Sequence, residues 1–116
     1  MKALRPINLV AGLASAALFL IVAGDARAVD AAAAQALARQ NNCFKCHSID
    51  KKDDALAWKE LAAKLKNKPD AEATLTKHVT TGPKVKFPDG SEITHPVVKS
   101  KSPDDIKNLV DWILSL

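Results

Sequence analysis

Methionine occurs once in this 116-residue chain, as Met1, and there are only two cysteines, three histidines and four glycines. Each shortage removes something. Both cysteines fall within one five-residue run, Cys43-Phe44-Lys45-Cys46-His47, so none is left for a disulfide or a four-cysteine zinc site. A zinc centre also needs two more ligands at Cys/His spacing, and a thioredoxin-like redox pair needs a flanking βαβ pattern; neither accompanies the run. Apart from one alanine-rich stretch there is no low-complexity segment, there are no internal repeats, and no doubly wound sheet can be drawn. The carboxylates are scattered, in no constellation distinguishable from a solvated surface, so no acid/base pair stands out.

What is present is the run itself, a Cys-x-x-Cys-His sequence, which is the attachment signature of c-type haem. Two thiols three positions apart can add to the two vinyl groups on one edge of a porphyrin, while the adjacent imidazole swings under the ring to reach the iron. Cys43, Cys46 and His47 are therefore the expected haem-binding residues, and one haem c the expected cofactor.

The N-terminus indicates where attachment takes place. Lys2 and Arg5 precede an apolar stretch from Ile7 to Ala23, and Ala26-Arg27-Ala28 has the small-x-small pattern of a cleavage site. Residues 1–28 are expected to be a secretory signal and 29–116 one domain. An uncleaved anchor is the competing reading, although 17 residues that include Asn8 and Gly12 fall short of the ~20 needed to span a bilayer. Cleavage leaves 88 of the 116 residues, without stable membrane insertion. It removes three of the 17 Lys+Arg and one of the 13 Asp+Glu, so the formal charge drops from +4 to +2. Two haem propionates bring that near zero, and a nucleic-acid partner gains no support. A domain this small has little core, so a tethered macrocycle acts as both cross-link and apolar filling, and the haem-free chain is expected to fold poorly.

Four helices are expected. Asp30 is an N-cap for Ala31 to Gln40, a small-residue helix that delivers Cys43 at its C-terminal end. Trp58, Leu61, Ala62 and Leu65 recur at helical spacing. A third helix runs from about Asp70 to Thr80, with Ala71, Leu75, His78 and Val79 on one stripe and Gly82 to end it. In the last, Ser102 caps, Pro103 takes the first position, Asp104 and Asp105 meet the positive end of the dipole, and Ile106, Leu109, Val110 and Ile113 form the buried face. Between the third and fourth lies a long loop from Gly82 to Ser102, in which Pro88-Asp89-Gly90 signals a turn and Val85, Phe87 and Ile93 suit a short hairpin.

With these residues in view, the chain resembles the small bacterial class I cytochromes c, over nearly all of residues 29–116. The resemblance implies an all-α fold of about four helices around one covalent haem, the N- and C-terminal helices crossing, with Trp112 suited to the aromatic place at the crossing. It also implies that the long loop presents a ligand to the far side of the iron. The family places a Met-Pro pair there, and this chain has His95-Pro96. His95 is therefore the leading candidate for the sixth ligand, opposite His47; His78, Lys99 or no strong ligand are the alternatives. His78 falls where relatives carry a basic side chain bonded to a haem propionate, or else is a helix-surface histidine without a partner. The Gly-Pro pair that orients the proximal histidine in relatives is replaced by Ala55-Leu56, leaving the Leu56 carbonyl as a possible acceptor.

The implied function is a periplasmic, monomeric carrier of single electrons, not an enzyme, at low potential because two imidazoles donate more to iron than a thioether does. Its partners are redox proteins, with Lys45, Lys84, Lys86, Lys99 and Lys101 suited to acidic ones unless they are ordinary solubilising lysines. The competing functions are binding or sensing of CO, NO or O₂ with His95 displaced, and peroxidase-like haem catalysis at an open site.

Overall fold

Asp30 opens the first helix as its sequence demands, one carboxylate oxygen accepting the Ala33 N–H at 2.9 Å. The structure, a computed structural model, describes residues 27–116. The expected signal lies outside the described residues except for Arg27 and Ala28, which are exposed and outside any helix or strand. Among the described residues no helix is long and apolar enough to cross a membrane.

Helix α1 spans Ala31–Gln40 and buries Ala34, Leu37 and Ala38. Asn42, with φ of 57°, then turns the chain into a single 3-10 turn, Cys43–Lys45. Helix α2, Trp58–Leu65, has no side-chain cap. Its first donors are met by the segment after the haem motif, Trp58 N–H donating to Ser48 O at 3.0 Å and Lys59 N–H to Ile49 O at 3.1 Å. Helix α3, Ala71–Thr81, buries Ala71, Leu75 and Val79 and ends at Gly82 in the left-handed conformation expected of a C-terminal glycine. Helix α4, Pro103–Leu114, buries Leu109, Val110, Trp112 and Ile113, while Ile106 is half-buried. Ser102 occupies the N-cap position but makes no side-chain capping bond. Ser100 organises this end instead: its Oγ accepts the Ser102 N–H at 3.1 Å and donates to Asp105 at 2.9 Å.

The fold is mostly helical, as expected, with α1 in contact with α4, and α4 in turn against α2 and α3. Ala34 and Ala38 of α1 and Leu109 and Val110 of α4 are at most 1% exposed within one core cluster. Small side chains on α1 let the two helices approach closely. The start of α1 is fixed to the middle of α4 by a reciprocal pair of bonds: Asp30 N–H donates to the Asn108 side-chain oxygen and the Asn108 amide donates back to Asp30 O, both at 2.8 Å. Trp112 meets Trp58 of α2 edge-on, with ring centroids 5.4 Å apart at 85°.

The long loop contains the expected hairpin. Strands β1, Lys84–Lys86, and β2, Glu92–Thr94, pair antiparallel with Val85 opposite Ile93. The turn closes through Gly90 N–H to Phe87 O at 3.0 Å and Phe87 N–H to Ser91 O at 2.8 Å. Two further bonds fasten the loop: His95 N–H to Pro83 O and Val98 N–H to Val79 O, both 2.8 Å.

Candidate haem site

Cys43, Cys46 and His47 leave the 3-10 turn on one side of a cavity of about 370 Å³. The turn is closed by Cys46 N–H and His47 N–H, both donating to Cys43 O. Both cysteines are half-buried. Burial pushes the Cys43 thiol up from its usual range, against a smaller opposing effect of a backbone hydrogen bond. The hairpin contributes Val85 and Ile93 to the lining, the turn Phe87, and the segment after β2 His95 and Pro96. Leu75, His78 and Val79 of α3 complete the enclosure.

All three histidines therefore line one cavity. The His47 and His95 ring centroids are 6.2 Å apart with planes at 56°, and His78 lies 4.3 Å from His95 at 59°. His47 Nδ1 faces Leu56 O at 3.4 Å, the acceptor expected in place of the missing proline pair. His95 Nδ1 faces Pro96 O at 2.8 Å. With each Nδ1–H donated to a carbonyl, each ring keeps its lone pair on Nε2, the form that binds a metal. Burial lowers the His47 pKa; the Leu56 carbonyl opposes this and His95 adds to it. The His78 pKa is also lowered, first by burial and then by His95 and His47. Both effects favour neutral imidazoles.

An apolar cleft with two thiols at one edge and imidazoles within it fits a flat, largely apolar macrocycle carrying its own metal. Among the described residues no group of three or more His, Cys, Asp and Glu is arranged to hold a bare ion. A metal that already brings four nitrogen donors asks the protein for no more than two.

Lys45, Lys84, Lys86, Lys99 and Lys101 are all exposed. Lys86 also lines the cavity rim, together with Lys52, which the sequence did not single out. Nor does the sequence mark Asn41. Its side chain accepts the Lys99 N–H at 2.7 Å and donates to Leu37 O at 3.0 Å, tying the end of α1 to the segment beyond His95. In sequence it reads only as a helix-terminal asparagine. A third feature absent from the sequence reading is an aromatic cluster behind His47: Trp58 stacks on the imidazole at 5.4 Å and 24°, and Phe44 tilts against Trp58 at 5.1 Å.

Comparison with known proteins bears on the same residues. The cytochrome c family model matches residues 31–116. The chain is 39% identical over 101 residues to cytochrome c-552 of Nitrosomonas europaea, covering 87% of this chain and 90% of that one. It is 33% identical over 103 residues to cytochrome c-551 of Stutzerimonas stutzeri, covering 84% and 92%. Among solved structures, the class 1 cytochrome MtoD from Sideroxydans lithotrophicus ES-1 superposes with a TM-score of 0.73 at 58% identity, covering 76% of this chain and 97% of that one. The crystal structure of Nitrosomonas europaea cytochrome c552 gives 0.54 at 34%, covering 70% and 96%.

Proposed function

From the premise that this chain belongs to the cytochrome c family, as a monohaem class I electron carrier with one haem c held covalently by Cys43 and Cys46, we propose a low-potential carrier with His47 and His95 as axial ligands. The haem, when bound, supplies an iron that changes charge one electron at a time. The protein's part is to hold two nitrogen donors at fixed separation, so that little rearranges when the electron moves.

The observation that carries this reading is the 6.2 Å between the His47 and His95 ring centroids across the cavity. One metal–nitrogen bond of about 2.0 Å to each ring, plus the half-widths of two imidazoles, comes to about 6 Å. Chemistry of the chain points the same way: Met1, its one methionine, falls in the proposed signal, so no thioether is left in 29–116 to compete. Two imidazoles stabilise the ferric charge more than imidazole and thioether do, hence the low potential. His78, whose ring centroid lies 4.3 Å from that of His95, is proposed as a haem-facing residue outside the ligand pair.

We place the carrier in the periplasm, after removal of residues 1–28, as a monomer. The five exposed lysines lie on segments at or beside the cavity and suit an acidic redox partner. Reduction by such a partner is expected to slow as ionic strength rises.

Electron paramagnetic resonance of the ferric protein tests the ligands. A low-spin signal of two nitrogen donors is expected, with ferrous protein that does not take up CO. His95→Met is expected to raise the midpoint potential. An unchanged ferric spectrum in His95→Ala overturns the assignment, and rapid CO uptake by the wild type favours small-ligand binding instead.

A further inference from the structure

We propose that Trp58 is a positioning residue for the proximal ligand, its indole fixing the plane of the His47 imidazole; this rests on the ligation reading above. Orientation of a ligating imidazole normally comes from a hydrogen bond to its second nitrogen. Here that bond is long: Nδ1 to Leu56 O is 3.4 Å, against about 2.9–3.0 Å for an ordinary N–H···O bond. A bond so stretched restrains rotation about the Cβ–ring axis weakly.

The indole supplies what the carbonyl does not. Trp58 lies nearly parallel to His47, at 24° and 5.4 Å between centroids, and is 3% exposed. It is itself unable to turn. Phe44, from within the haem motif, leans on it at 5.1 Å and 59°, and Trp112 of α4 abuts it edge-on at 5.4 Å and 85°. Its backbone is pinned as well, because its N–H donates to Ser48 O, the residue after His47. Rotation of the imidazole therefore has to displace a ring enclosed by two other aromatics and anchored to the same loop. Core filling alone asks only for apolar volume at this position, whereas orientation asks for a flat face.

The distinction is testable in the holoprotein with Trp58→Leu and Trp58→Phe, read by ferric electron paramagnetic resonance, midpoint potential and thermal unfolding. Both variants are expected to lower Tm. The leucine variant alone is expected to broaden and displace the low-field resonance line and to shift the midpoint potential, and phenylalanine is expected to restore both toward wild type. A leucine variant with lowered Tm but wild-type line and potential reduces Trp58 to packing and overturns the proposal. If that variant fails to retain haem, Trp112→Phe, which weakens the backing of the indole but leaves the stack, is expected to broaden the same line; an unchanged line there overturns it equally. A high-spin wild-type spectrum sinks the ligation reading first, and so is distinguishable from failure at Trp58.

Discussion

Replacing Gly82 by alanine probes the coupling between the end of α3 and the loop that carries His95. Gly82 has φ of +61°, and a Cβ built there lies 3.1 Å from His95 O and 3.2 Å from Val97 Cγ2. The left-handed backbone alone costs an L-residue about 1–2 kcal/mol. The two close approaches add an overpacking cost of about 1–3 kcal/mol, because His95 O belongs to backbone held by its own N–H bond to Pro83 O. Gly90 is the internal control: its φ is +87°, but its Cβ meets nothing within 4 Å. Gly90→Ala is therefore expected to cost only the backbone part, and Gly82→Ala roughly twice as much. At about 4–8 °C per kcal/mol for a domain of this size, thermal unfolding resolves the two. The second readout is specific to the site. Pushing His95 O away loosens the imidazole proposed as the distal ligand, so Gly82→Ala, unlike Gly90→Ala, is expected to let the ferrous protein take up CO. Equal Tm losses and equal CO uptake in the two variants refute the idea that Gly82 is required by its closeness to the loop that carries His95.

Asn108→Ala removes both bonds between the start of α1 and the middle of α4; at about 0.5–1.5 kcal/mol each, a loss of roughly 1–3 kcal/mol is expected in denaturant unfolding. Lys107, which bridges Glu72 of α3 and Asp111 of α4 at the surface, is expected to give less than about 1 kcal/mol on substitution by alanine. The pKa of His78 is lowered from its usual 6.5, so the unfolded chain binds a proton that the folded one refuses. Its contribution is complete above about pH 6.5 and is lost as pH falls below that value, until the folded imidazole also protonates; His78→Gln is expected to show a flatter pH dependence of Tm across that window. A Cys43→Ala, Cys46→Ala chain that cannot tether haem leaves an apolar cavity of about 370 Å³ unfilled, and its circular dichroism is expected to show much reduced helix.

Local signals were legible wherever the physics is local. The Asp30 cap and alanine run located α1, the Trp58-Leu61-Ala62-Leu65 spacing located α2, and Gly82 marked the end of α3, because capping and periodicity act within one or two helical turns. Pro88-Asp89-Gly90 marked the hairpin for the same reason. Ser102 misled in detail. Capping chemistry at α4 passed to Ser100, two residues earlier, whose hydroxyl reaches both the backbone and Asp105, and sequence alone does not separate two nearby serines.

The haem motif, the export pattern and the lack of any methionine beyond Met1 are properties of the chain read in one dimension, and they determined the cofactor class and posed the question of the sixth ligand. Only the tertiary structure decided which side chains share the cavity. His47 and His95 meet in it because the chain after the hairpin returns to the end of α3, where His95 N–H bonds to Pro83 O; Trp58 reaches His47 because α2 begins by bonding to the loop behind the motif; Asn41 and Asn108 join segments 58 and 78 residues apart. Such contacts arise from the closing of long loops around a common core, and no short-range pattern of residue types encodes which distant partner a side chain will find.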